Sequence, residues 1–334
     1  MPVQGSTVTA NDPGILAKEA ESATMLEFNR RLENQSPIIA GLLDVKDSEG
    51  TDEDYATVTS MPLPRIWAKG EARSWDSFDD VNVNVVNRKW QLGIPWNRED
   101  REDDRTGDVI RMAQAAGRRM GDIDERVALQ IILGSTDIDL LPSIPNAYDG
   151  TALVSAAARF GNANGNTLTG SGVATVNAIV DDLFLAQERY LSFQDTKGEP
   201  YFLPEDVIFS NMRIIAGASN LQVFTQAFTS DKIPAGVLTS TSNASTNNPF
   251  LVDGADMRSI AYFTPRITDN DWFIYLDVPF AKALIKQNRT PLESKLINSG
   301  NSDWADDHDK EGITFRMRRG YGVGAPQIFL KMNN

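Results

Sequence analysis

The sequence predicts an α+β protein, and three observations lead there. One is a stretch of helical period spanning 108–134; a second is period-two alternation at Val81, Val83 and Val85 and again at Trp90, Leu92, Ile94 and Trp96. The third is element order: strands and helices do not alternate with the regularity of a doubly wound parallel sheet.

Taken in order, residues 1–24 are rich in Ser, Thr, Ala, Asn, Asp and Gly and read as an extended arm with little core of its own. MLEFNRRLENQSPIIAGLLDV (25–45) offers a short amphipathic helix to about Asn34 and a turn at Ser36-Pro37. From Tyr55 the pattern becomes strand-like. Two such stretches flank a middle rich in Pro, Gly and Asp, which predicts a long projecting hairpin carrying Trp67, Trp75 and Trp90.

NREDREDDRTGD (97–108) sets six carboxylates among Arg98, Arg101 and Arg105. A divalent cation would meet partly neutralised ligands there, and the calcium-loop spacing of Gly and Glu is missing. The segment reads as a solvated lead into a helix, with acidic side chains complementing the unpaired N–H groups of the first turn.

That helix is the strongest periodic signal. Val109, Met112, Ala113, Ala116, Met120, Ile123, Val127 and Ile131 step by three and four, while Arg111, Arg118, Arg119, Asp122 and Glu125 form the polar face. Some 27 residues at ~1.5 Å each make a rod of roughly 40 Å, and Gly134-Ser135 closes it. A Gly/Asn-rich loop, ARFGNANGNTLTGSG, leads to a second helix in VATVNAIVDDLFLAQERYLSF. Next come a short strand in DVIFS, a third helix from about Met212 to Phe224, and strands in WFIYLDV, AKALIKQ and ITFRMRRGYGVGAPQIFLKM.

The chain has 334 residues, 41% hydrophobic and 23% charged, which suits a globular protein of one elaborated or two ordinary domains. No apolar run approaches the ~18 residues of a spanning helix, and MPVQGSTVTANDPG lacks the basic and apolar regions of a secretory signal. With no cysteine, disulfides, thiolate metal sites and cysteine nucleophiles are excluded together. A formal charge of −14 opposes a protein whose main task is to grip phosphate backbones.

Chemical motifs are equally scarce. Gly320, Gly322 and Gly324 in RRGYGVGAP precede another strand rather than a helix, so they read as a bend where backbones approach closely, not as a phosphate loop. The single histidine, His308, lies among Asp303, Asp306, Asp307 and Asp309 and reads as part of a solvated loop. No G-x-S-x-G elbow, Walker loop or H-E-x-x-H helix occurs. Cofactors are expected to be none and the protein not an enzyme, although paired carboxylates leave a carboxylate-based hydrolase as a competing class, with a polysaccharide-binding module as a third.

The serial order of WQLGIPWNREDREDD, AYDGTALVSA (147–156), QDTKGEPYFLPEDVIFSNMRIIAGASNL (194–221), DWFIYLDVPFAKALIKQNRTPLESKL (271–296) and FRMRRGYGVGAP resembles the Mu-like prophage major head subunit family. These proteins share the Hong Kong 97-type fold of tailed-phage major capsid proteins. Where family members often carry Phe-Phe-Ser and a histidine after Tyr-Asp-Gly, this chain has Leu153-Val154-Ser155 and alanines, a departure from phage Mu itself.

The resemblance implies an N-terminal arm at 1–48, an extended-loop hairpin at 49–97 and a peripheral domain at 98–172 with its spine helix at 108–134. It further implies an axial domain at 173–270 and strands at 271–334 that return to the peripheral domain and end against the axial one. It implies a major head protein, assembled in the host bacterial cytoplasm and residing in the virion, whose icosahedral shell encloses double-stranded DNA without sequence-specific binding. Identical subunits in hexamers and pentamers, a portal, and scaffolding or maturation proteins are the implied partners; no membrane is. An encapsulin-type nanocompartment shell is the alternative within the fold. Residues expected at contacts between subunits are Arg65, Trp67, Lys69, Arg73 and Trp75 on the hairpin and Arg98, Arg101 and Arg105 beyond it; Trp and Arg are favoured interface anchors, though core packing of the tryptophans competes with this reading.

Overall fold

The computed structural model describes residues 13–60, 64, 66–67, 69–73, 75, 79–97, 99, 108–137, 140–173, 175–233, 246–251, 257–297 and 302–334. Its architecture is α+β, with two main sheets flanked by helices.

The chain opens with α1 (Pro13–Glu33), α2 (Pro37–Leu42) and β1 (Leu43–Asp47). The extended arm expected at 1–24 is therefore helical from Pro13, and both Ala20 and Thr24 are fully buried. The reason is a seam of small residues. α1 packs along α3 (Asp108–Gly121), where a Cβ on Gly117 would stand 2.2 Å from the Thr24 carbonyl oxygen, and Thr24 Oγ1 donates to Ala113 O at 2.9 Å. Such a seam excludes the large apolar residues by which a buried helix usually announces itself.

α3 is continued by α4 (Ile123–Leu133) after a single turn residue, Asp122. The ladder carries through it: Asp122 N donates to Arg118 O and Arg126 N to Asp122 O, each at 3.0 Å. The two helices together occupy the span expected for the single helix, and Gly134 ends it in the left-handed region at φ 64°. Of the predicted apolar face, Ala113, Ala116, Met120, Ile123, Val127 and Ile131 are buried, whereas Met112 is exposed.

β2 (Asp52–Ser60) and β3 (Asp79–Val86) form the antiparallel hairpin, with Tyr55 opposite Val83. The alternating stretch that follows, β4 (Arg88–Asn97), is a strand as expected but leaves the hairpin. It pairs with β12 (Lys310–Val323), setting Ile94 opposite Ile313. Trp90 and Trp96 consequently lie in the core at 6% and 5% exposure, so Trp90 is not a hairpin residue. Alternation reveals a strand but not its partner. With β11 (Leu284–Ile297), these strands make a four-stranded sheet in the order β1-β11-β12-β4, parallel at β1 and antiparallel elsewhere.

The second sheet has the order β5-β13-β10-β6-β9, comprising β5 (Thr167–Thr169), β6 (Met212–Gly217), β9 (Ala261–Thr264), β10 (Trp272–Leu276) and β13 (Phe329–Asn333). Here a second expectation fails. Residues 212–217 form a strand next to the central β10, and the helix, α6 (Leu221–Thr229), begins later; DVIFS is turn and 3-10 helix. A strand covered on both faces loses its alternation and reads as a continuous apolar run, which period alone does not separate from buried helix.

α5 (Val176–Leu191) is capped by Thr175, whose hydroxyl accepts from Ala178 N at 3.2 Å. It is tied to this sheet by Tyr190, whose buried hydroxyl lies 3.0 Å from both Ile274 O and Ile328 O. The Gly/Asn-rich loop before it is held by buried Asn166, which donates to Leu153 O and Phe329 O at 2.8 Å and accepts from Ser155 N at 2.9 Å. Short strands β7 (Lys232–Ile233) and β8 (Thr246–Asn247) pair with each other. α7 (Asp303–His308) places His308 on a helix rather than in a loop, exposed and stacked on Trp304.

Candidate functional site

The expected contact residues fall on the hairpin and just beyond β4. At the hairpin tip, Lys69-Gly70 form a turn in which Gly70 takes φ 96°, a conformation that side chains disfavour. Trp67 Nε1 donates to Glu71 O at 2.7 Å, and the Arg73 guanidinium lies 5.1 Å from the centroid of the Trp67 ring. That cation–π contact is worth ~0.5–1 kcal/mol at an exposed site, enough to bias Arg73 toward the ring without burying it. Among the described residues of this stretch, Ile66 is 98% and Trp75 88% exposed. Single exposed apolar residues are ordinary, but Ile66, Trp67 and Trp75, three exposed large apolar residues within ten positions of one another, are the residue types that interaction surfaces favour. Arg65, Arg98, Arg101 and Arg105 lie outside the described residues.

The root of the hairpin is anchored as firmly as the tip is bare. Val83 and Val85 are buried against Ile285, Tyr55 and Tyr148. Gly322 and Gly320 of β12 supply the space: a Cβ on Gly322 would stand 2.5 Å from Val85 Cγ2, and one on Gly320 2.9 Å from Val86 O. This is the close approach expected of the glycine-rich stretch. Polar contacts complete the anchor. Tyr55 donates to Gln287 Oε1 at 3.0 Å, Asn87 Nδ2 to Ser48 Oγ at 2.8 Å, and Gln287 Nε2 to the same oxygen at 3.1 Å.

Beneath the root lies a buried charge cluster that sequence reasoning missed. Asp124, fully buried on α4, receives Lys286 Nζ at 2.5 Å, Arg319 Nη1 at 2.9 Å and the Tyr321 hydroxyl at 2.5 Å. Burial opposes ionisation of Asp124, but the charges of Arg319 and Lys286 outweigh it and hold the carboxyl below its ordinary range. Burial pushes the Tyr321 hydroxyl well up, so it stays protonated and donates. The Arg319 guanidinium also lies 5.9 Å from the centroid of the Phe28 ring on α1. A second network closes α1 onto α4: Arg31 binds Asp122 and, at 2.6 Å, Glu125, which also accepts from the Tyr262 hydroxyl. Two residues of the polar face, Asp122 and Glu125, thus face another helix. A signal existed in Asp124 itself, which sits four residues after Met120 and three before Val127, on the apolar stripe, where a carboxylate needs a buried cation.

These features are structural anchors around an uncovered tip. No cluster of His, Cys, Asp and Glu that could hold a metal occurs among the described residues, and no described helix is long and apolar enough to cross a membrane.

The sequence model of phage capsid proteins matches residues 83–331. Solved structures similar to this chain include the capsid of a native GTA particle, 12% identical over 90% of this chain and 91% of that one, with a TM-score of 0.55. The mature capsid of bacteriophage PhiM1 is 12% identical over 88% and 86% of the two chains with a TM-score of 0.52. A virus-like particle from Pyrococcus furiosus is 10% identical over 95% and 98% with a TM-score of 0.51. At such identities the likeness is one of fold. No curated protein matches the chain in sequence.

Proposed function

This chain belongs to the phage capsid protein family, and from that premise we propose that its hairpin is the element that joins neighbouring subunits. The protein is a major capsid protein of the Hong Kong 97-type fold, a structural protein that assembles with identical copies into the icosahedral shell of a virion. The observation carrying the proposal is the hairpin tip: Trp67, Trp75 and Ile66 stand uncovered beside Lys69 and Arg73, on a ribbon whose root is locked to its own β12. A two-stranded ribbon is marginal alone in water, and a rigid root with an adhesive tip suits contact with another molecule. Arg65, Arg98, Arg101 and Arg105 are proposed to add charge at the same boundary, where complementary charge sets register and rejects wrong partners.

In this reading the extended loop occupies 49–97, with β4 serving as its return into the four-stranded sheet. The peripheral domain, 98–172, and the axial domain, 173–270, are completed by strands from 271–334. Contacts that close on five- and six-fold axes would form pentamers and hexamers. The charge of −14 supports a lumen that holds double-stranded DNA without specific adhesion, and portal, scaffolding or maturation proteins complete assembly in the host cytoplasm.

The test is the double substitution Trp67→Ala with Trp75→Ala. Circular dichroism and melting of the unassembled protein should stay near wild type, while electron microscopy shows closed shells lost, because truncating an interface anchor commonly costs ~2 kcal/mol or more and a shell repeats that loss at every subunit. Normal shells from this variant would overturn the assignment.

A further inference from the structure

We propose that a cavity between the hairpin and the body of its own subunit is a saccharide site, suited to a neutral disaccharide. The cavity encloses about 630 Å³, within the ~300–1,000 Å³ common for small-molecule sites. β2 forms one wall through Tyr55, Ala56 and Thr57. The facing wall is built from the 195–201 turn, residues 280–282 ahead of β11 and the 324–327 turn between β12 and β13.

Charge balance selects a neutral occupant. Among the lining residues, Asp44 and Asp195 offset Lys46 and Lys282. Each of the four is already engaged: Lys46 Nζ lies 3.1 Å from Asp44 Oδ2, and Lys282 Nζ lies 2.8 Å from Asp277 Oδ1. Asp195 Oδ1 accepts from Lys197 N at 2.8 Å and from Glu199 N at 2.9 Å. A ligand with net charge would have to break one of these arrangements or sit uncompensated. A hydroxyl need do neither, because it donates and accepts at once and can bridge a carboxylate and an ammonium that stand side by side. Neighbouring hydroxyls on a pyranose ring repeat that alternation. The Asp44–Lys46 pair on β1 and Lys282 beside Asp277 on a separate segment would each receive one sugar ring, so two linked rings answer the cavity better than one.

The apolar lining agrees with this choice. Tyr55, Tyr201 and Phe280 bring three aromatic rings to the cavity, and an aromatic ring takes the C–H face of a sugar while the hydroxyls reach the polar rim. Phe280 is 58% exposed, an exposure that a ligand laid on it would relieve. One buried group also calls for a donor. Gln327 lines the cavity at 1% exposure and gives its Nε2 hydrogen to the Tyr201 hydroxyl at 2.5 Å, while its Oε1 is buried with no hydrogen-bond partner among the described residues. Buried acceptors are seldom left so, and a sugar hydroxyl supplies the missing hydrogen.

Saturation-transfer difference NMR on the full-length chain tests the site, with cellobiose, maltose, lactose and N,N′-diacetylchitobiose as probes and adenosine as the flat-ring control. At least one disaccharide should take up saturation at its ring C–H protons and titrate with a low-millimolar or tighter dissociation constant. Phe280→Ala should weaken that binding about fivefold or more, the loss expected for one ring contact. Ala56→Trp, at an exposed position of β2, should fill the cavity and abolish binding while melting stays near wild type. Undiminished binding by folded Ala56→Trp would place the ligand elsewhere and overturn the site; should that variant not fold, undiminished binding by Phe280→Ala would do the same. Absence of binding by all four disaccharides, or binding of adenosine in their place, would overturn the saccharide assignment. None of these readouts depends on shell formation, so their outcome is separate from whether the hairpin joins subunits.

Discussion

Val85 occupies a notch that only glycine at position 322 leaves open, since a Cβ there would stand 2.5 Å from Val85 Cγ2. This contact fastens the hairpin to the sheet. Gly322→Ala should force Val85 or the β3 backbone aside and lower stability by ~1–3 kcal/mol, as overpacking of a fitted site does. Thermal melting checks it, and Val85→Ala in the same chain should recover part of the loss. An additive double variant would mean that the two positions do not share the space.

Gly117→Ala provides a test with an inverted sign. Within a helix, alanine is favoured over glycine by ~1 kcal/mol, yet here the added Cβ would meet the Thr24 backbone at 2.2 Å. The substitution should destabilise by ~2 kcal/mol or more through separation of α1 from α3. Denaturant unfolding measures the difference; a stabilised variant would show that α1 does not pack as described.

The buried cluster predicts acid sensitivity. Because the folded-state pKa of Asp124 is depressed, the stability it contributes is present above its unfolded value near ~3.9 and is lost as pH falls through the folded value. Asp124→Ala at neutral pH strands two buried cations and should cost ~3–5 kcal/mol. Unfolding curves taken from neutral pH downward should converge for wild type and variant in acid. Parallel curves would contradict the cluster.

Asp182 carries the opposite sign. Burial raises its carboxyl above the ordinary range, and one of its oxygens is buried without a hydrogen bond while the other accepts from Ser171 N at 2.7 Å. The folded state therefore holds its proton more tightly, and stability falls as pH rises from about 4 through the folded value. Asp182→Asn keeps the Ser171 contact and removes the charge. The variant should equal or exceed wild type in melting temperature at neutral pH and show a flatter pH dependence.

Elements with one covered face were legible in the sequence. The helical span 108–133 and the alternating strands display the periodicity that a half-buried element must have, and Gly134 marks where the helix stops. Legibility failed where burial was two-sided or made of small residues: β6 is buried along both faces and lost its alternation, and the seam of Ala20 and Thr24 on α1 against Gly117 carried no large apolar signal. The tip residues Trp67 and Trp75 stood out because aromatic residues in a polar turn are unusual. Trp90 stood out equally yet belongs to the core, because the partner that covers it, β12, lies more than two hundred residues away in sequence. The Asp124 cluster was hidden for the same reason, its cations arriving from β11 and β12.

β12 carries Gly320 and Gly322 under the hairpin root at one end and, at the other, Gly312 and Ile313 opposite Pro95 and Ile94 of β4. Some eight residues at ~3.4 Å apiece separate them, roughly 27 Å of continuous strand, hydrogen-bonded on both edges. A pull on the hairpin would thus be taken up by a strand that runs on into the body of its own subunit. Tension would enter along extended backbone, the stiffest direction a sheet possesses, with little demand on loops. The sheet would feel a load on the hairpin as a pull rather than as a bend.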